Sequence, residues 1–137
     1  MNKKKLETFL ESLHSQPDLE EVLDRMSSGD DDFEVDGVRF IHRDAIDRIQ
    51  REELSNDTYI LGCFNAHFLA DYLPLDSDTI EAMQEKELHE AIGELALKHI
   101  EEIQQGYCGA DGYGHHFNHY DFSEEEHGAY YVFDNRN

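Results

Sequence analysis

The sequence predicts an α+β fold, with several helices packed against a small antiparallel sheet made from two β-hairpins. Three observations predict it. Apolar residues recur at i, i+3, i+4 and i+7 through residues 3–26 and again through 78–105, the mark of helices with one buried face. Asp36-Gly37 stands between two alternating apolar runs, a hairpin signal. Ala129-Tyr130-Tyr131-Val132-Phe133 is aromatic and β-branched, a second strand signal. The chain has 137 residues and fits a single globular domain over 1–137.

The elements follow in order. Leu6, Phe9, Leu10 and Leu13 make one helix face within residues 3–14. Pro17 suits the first position of a second helix, with Ser15 or Gln16 as its cap. Leu19, Val22, Leu23 and Met26 repeat the spacing, and Gly29 ends the helix. Asp30-Asp31-Asp32 lacks the alternating ligands, central glycine and terminal glutamate of a calcium loop and reads as a solvated charge run. In the hairpin over 33–41, Phe33 and Val35 share a face with Val38 and Phe40. Residues 43–54 predict a helix with Ile46 and Ile49 inward and Arg43, Arg48 and Arg51 outward, balanced by Asp44 and Asp47 at i,i+4.

Tyr59 to Leu73 is the most hydrophobic segment, and its length predicts one central buried helix capped by Asp57 or Thr58. Pro74 ends it. Asp76 suits the cap of the next helix, with Leu75 and Ile80 as a hydrophobic staple, and Asp78 with Glu81 is the alternative capping box. That helical pattern runs to about Gln105 with a break near Glu85-Lys86. Gly106 to Gly114 predicts a loop, His115 to Phe122 a strand, and Ser123 to Gly128 an acidic turn before the last strand.

Charge is the strongest compositional feature. Asp plus Glu number 32 against 11 Lys plus Arg, a net charge of -21. Residues 58–137 alone hold 16 acids and 3 bases, a balance of -13. Solubility asks for a magnitude of only ~2–8 in a small domain. Such a field disfavours direct nucleic-acid binding and anionic membranes, and it attracts basic proteins or cations. Glu87, Glu90, Glu94 and Glu101 recur at helical spacing and predict an acidic partner-binding row. Cys63 and Cys108 form no CxxC pair and suit a reducing compartment. Lys3-Lys4-Lys5 is followed by no apolar run of the signal-peptide kind, and Tyr59 to Leu73 is too short to span a bilayer. A cytoplasmic location is expected.

The densest chemistry lies in Asp111, His115, His116, His119 and Asp121, a candidate ligand-binding cluster. On a regular strand His115 and His116 face opposite sides, and His115 and His119 lie about 13 Å apart. Only His119 and Asp121 form a same-face pair. No HExxH, HxH or cysteine pair accompanies them, so no metal and no cofactor are expected. The glycines from Gly109 to Gly114 neither follow a strand nor open a helix in this reading, and no lysine accompanies them. They therefore do not read as a phosphate loop. Cys108 has no orienting partner and sits in an acidic field that disfavours a thiolate.

Tyr59-Ile60-Leu61-Gly62-Cys63-Phe64-Asn65-Ala66, the run Asp111 to Asp121, and Tyr130-Tyr131-Val132-Phe133 together resemble small uncharacterised acidic proteins of plasmids and integron cassettes. The resemblance covers roughly residues 58–134 and implies a mobile-element origin without implying an activity. In charge composition the chain is also similar to phage and plasmid antirestriction proteins that mimic DNA. The leading expectation is a non-enzymatic acidic interaction protein that binds a basic protein partner, with DNA mimicry as one form of it. The alternative is a small-ligand- or metal-binding domain, such as a hydrolase, at His115 to Asp121. The sequence leaves a homo-oligomer open.

Overall fold

The structure, a computed structural model, describes residues 3–13 and 15–135. Residue 14, the last of the predicted first helix, lies outside the described residues. The fold is α+β: nine helices among the described residues, and one four-stranded antiparallel sheet of two hairpins. The chain divides into two compact units, residues 1–46 with 111–137 and residues 47–110.

The first unit holds the sheet. Strands β1 (Asp32–Val35) and β2 (Val38–His42) pair with Val35 opposite Val38. Asp36 and Gly37 both adopt positive φ, 51° and 85°, as a type I′ turn requires. Strands β3 (Glu125–His127) and β4 (Tyr130–Asp134) form the second hairpin, and β2 pairs with β4 to give the order β1-β2-β4-β3. One face of the sheet presents Phe33, Val35, Val38, Phe40, Tyr130 and Val132. It is covered by Leu6 and Leu10 of α1 (Lys3–Ser12) and Val22 of α2 (Leu19–Ser27). On the other face Phe133 meets Phe117, ring centroids 5.3 Å apart. Arg39 lies 5.0 Å over that Phe117 ring while its guanidinium donates to both oxygens of Asp32.

Helix α2 starts two residues later than predicted. Asp18, not Ser15 or Gln16, caps it by accepting from the Glu21 N–H. Its end is as expected. Gly29, at φ 79°, donates to the Met26 carbonyl, and Asp30 donates to that of Arg25, the two bonds of a Schellman motif.

The second unit is helical. Helix α3 opens at Ile46 and runs to Ser55. The predicted central helix over 59–73 is two short ones, α4 (Thr58–Gly62) and α5 (Ala66–Ala70). Asn65 divides them. Its side chain accepts from the N–H groups of His67 and Phe68, which starts a new helix where a continuing one would have used carbonyls from the preceding turn. Both Asn65 and His67 are exposed, so neither is a buried polar group. Asp57 caps α4 and Asp76 caps α6 (Ser77–Glu85).

The predicted helical run to Gln105 breaks where expected, α6 ending at Glu85, and breaks once more than expected, giving α7 (His89–Leu97) and α8 (Ile100–Asp111). At the first break Glu87 turns left-handed, φ 60°, and the Glu87 and Leu88 N–H groups close on Gln84 and Met83, another Schellman pattern. At the second, Lys98 and His99 donate to residues three back, a tight 3₁₀-type turn. The predicted loop over 106–114 is mostly helix, because Ile103, Gln104 and Tyr107 continue a buried face that overrides the low propensity of Gly106 and Gly109. The predicted strand over 115–122 is helix α9 (Gly114–Phe117) followed by a turn, and the predicted acidic turn contains strand β3. The core of this unit gathers Leu61, Leu69, Ile80, Ile92, Ala96 and Ile103.

Two glycines let α4 and α7 approach. A Cβ built on Gly62 would stand 1.8 Å from the His89 carbonyl oxygen, and one on Gly93 would stand 1.7 Å from that of Thr58. Each glycine therefore receives the backbone of the facing helix.

Candidate functional site

The acidic row is split. Glu87 lies in the left-handed link, Glu90 and Glu94 share α7, and Glu101 stands on α8 beyond the second break. All four are exposed. Only Glu90 and Glu94 form a same-helix pair, about 5–6 Å apart by spacing. The predicted single ridge is therefore replaced by carboxylates spread over successive short elements. The cause is the chain's turning at Glu87 and at Lys98-His99.

Between them the two units share the acidic excess. Residues 47–110 hold 14 acids and 4 bases, a balance of -10, and the remainder holds 18 and 7, a balance of -11. Some carboxylates have structural work. Asp18, Asp57 and Asp76 cap helices, and a Glu124 oxygen accepts from the N–H groups of Tyr113 and Gly114 at the start of α9. The Asp76 carboxyl is held below the ordinary value by the Thr79 hydroxyl and then by the Thr79 N–H. The basic helix face is partly neutralised: Arg48 meets Glu52 at 3.1 Å. Arg51 donates to the buried Gln104 carbonyl, whose amide in turn donates to Gln50 and Asp47. A cleft of about 390 Å³ beside them is lined by Arg48, Arg51 and Ile100 among others.

The histidine cluster does not converge. Asp111 ends α8 and is exposed. His115 and His116 sit on α9. The His115 ring stacks on Phe122 at 5.0 Å, and the His116 ring stands edge-on to Phe117 at 4.6 Å. His119 is exposed and its backbone N–H donates to the Asn135 side chain. His119 and Asp121, the expected same-face strand pair, lie instead in a turn. One Asp121 oxygen accepts from Asn118 and from the Ser123 N–H and hydroxyl. Among the described residues no three His, Cys, Asp or Glu side chains are gathered so as to hold a metal ion. Also among the described residues, no helix is long and apolar enough to cross a membrane.

Sequence reasoning missed the residue that builds this region. Asn118 is 1% exposed and fixes the turn from within. Its amide donates to Asp121 and to the Ser123 carbonyl, and its oxygen accepts from the Tyr120 and Asp121 N–H groups. The signal was the density of Asn, Asp and Ser between 118 and 123, a turn composition that the alternation of aromatic residues concealed. Comparison with protein-family models, with curated proteins and with solved structures finds no match.

Proposed function

We propose that this chain is a non-enzymatic acidic interaction protein, borne on a mobile element, that binds a basic protein partner. The observation that carries the reading is the balance of -10 over residues 47–110, where two of four bases, Arg48 and Arg51, already meet protein partners. Glu87, Glu90, Glu94 and Glu101 are all exposed and belong to that excess. A field of one sign at this density raises the local concentration of cationic partners and speeds their encounter. DNA mimicry is the form of this reading in which the partner is a nucleic-acid-binding protein. It would draw on carboxylates of α6, α7 and α8 together, since no single helix carries the row.

A pull-down from cytoplasmic extract at low and at high salt tests it. Capture of basic proteins that releases between about 0.05 and 0.5 M salt is expected, because screening shortens the range of the field. Capture that is absent at low salt, or that ignores salt, would sink the proposal.

A further inference from the structure

The turn after α9 combines features that its structural role leaves unexplained. Its polar groups point inward onto the buried Asn118, and Asn135 grips it from behind, donating to the Phe117 carbonyl and accepting from the His119 N–H. Its large side chains point outward. Tyr120 is 55% and Phe122 is 59% exposed, the two most exposed of the large hydrophobic side chains among the described residues. Phe122 holds φ 62°, a left-handed conformation that costs a side chain with a Cβ about 1–2 kcal/mol and that a glycine would adopt freely. Beneath it, Gly114 leaves room for the Phe122 carbonyl, which a Cβ there would strike. The turn thus bears a backbone cost to hold an aromatic ring in solvent, with His115 stacked on it.

The surroundings define what would cover the ring. No Lys or Arg occurs from 99 to 135, and Asp121, Glu124, Glu125 and Glu126 are exposed beside it in the chain. The protein shows the matching chemistry twice internally. Arg39 lies over Phe117 while bonded to Asp32, and Arg25 lies 5.1 Å over Phe33 while paired with Asp30. Each is a guanidinium on an aromatic face with a carboxylate at its edge, a geometry that a lysine ammonium reproduces poorly.

We infer that Tyr120 and Phe122 form the anchor of a docking surface for an arginine-rich protein segment, with a guanidinium stacked on the rings and the flanking carboxylates accepting its N–H groups. This rests on the acidic-interaction reading and names the surface and side chain through which it acts. Because the turn is already ordered by Asn118, binding pays little for loop immobilisation.

Fluorescence anisotropy with labelled deca-arginine and deca-lysine peptides, on the full chain at about 0.15 M salt, tests the inference. Deca-arginine is expected to bind about 2- to 5-fold more tightly than deca-lysine for each ring engaged. Phe122→Gly should lower that preference by the one-ring factor of about 2- to 5-fold while its thermal midpoint is held or raised, Phe122→Tyr should keep it, and Tyr120→Ala with Phe122→Gly should abolish it. Equal affinity of the parent for both peptides, or a preference that Phe122→Gly leaves undiminished, overturns this inference alone. No binding of either peptide overturns the acidic-interaction reading and this inference with it. Self-association in sedimentation that Phe122→Gly abolishes would assign the rings to a second copy of the chain and overturn the arginine assignment. A Phe122→Gly midpoint that falls by more than about 4 °C (roughly 1 kcal/mol for a chain of this size) would show that the ring supports the fold.

Discussion

The crossing of α4 on α7 gives the sharpest test of the fold. Replacing Gly62 with Ala places a methyl carbon 1.8 Å from the His89 carbonyl oxygen. Ordinary contact begins near 3.4 Å, so the helices must part by about 1.5 Å, and a gap of 0.5–1 Å already forfeits a quarter to a half of a dispersion contact. Leu61, Ile92 and Ala96 are buried at or beside this crossing and would lose contacts together. Overpacking of this kind costs about 1–3 kcal/mol and rises when the obstacle is backbone, so about 3 kcal/mol is expected. Against a total of about 5–15 kcal/mol that is a large loss. Urea unfolding followed by circular dichroism should show the midpoint falling by about 1–2 M. Gly93→Ala meets the Thr58 carbonyl across the same interface and should cost a similar amount. The double variant should cost well under the sum, because the first methyl has already parted the helices. A Gly62→Ala loss below about 0.5 kcal/mol, or full additivity in the pair, would refute the close-approach argument.

Other expectations follow from single contacts. Asn118→Ala removes the partners of two backbone N–H groups and one carbonyl and should cost about 2 kcal/mol by urea unfolding, with faster amide exchange at Tyr120 and Asp121. The Tyr130 hydroxyl donates to the Asp30 carbonyl, and burial, then the Asp30 and Asp31 charges, raise its pKa. Its stabilising effect is therefore complete below about pH 10 and is lost as pH rises through the raised value. Absorbance titration of Tyr130→Phe against the parent should remove a late-titrating phenol, and removal of an early one instead would refute the assignment. For Asp76 the sign is opposite: its cap is present above the ordinary aspartate value near 3.9 and is lost as pH falls through the lowered one. Carboxyl chemical shifts should place its midpoint below about 3.9, and a midpoint at or above it would mean that the bonds from the Thr79 hydroxyl and N–H are not kept in solution. In the partner assay, replacing Glu90 and Glu94 with Gln should weaken capture at low salt and leave high-salt behaviour unchanged, since their effect is a screened field.

The sequence by itself determined the α+β class, the Asp36-Gly37 hairpin, the last strand, and two capped helix starts narrowed to Asp57 or Thr58 and to Asp76 or Asp78, of which Asp57 and Asp76 serve. These depend on local chemistry: positive φ at a turn, a side-chain oxygen reaching the third N–H, and alternation on a strand half-covered by helices. Tertiary structure decided the rest. Helical periodicity persists in phase across a short break, so Asn65 and Lys98-His99 could end helices without disturbing the apolar pattern that made them look continuous, whereas the break near Glu85-Lys86 was legible. Glycine composition spoke for a loop at 106–111, yet burial of Ile103, Gln104 and Tyr107 outweighed backbone entropy and kept it helical. The histidines alternated with aromatic residues as a strand would, but Phe117 is buried against Phe133 and Asn118 closes the turn, so period and face were set by packing from β4, 16 residues on. No local pattern encodes the direction in which a turn's side chains then point. That direction put two aromatic rings, Tyr120 and Phe122, in solvent where the sequence had offered a candidate ligand-binding cluster.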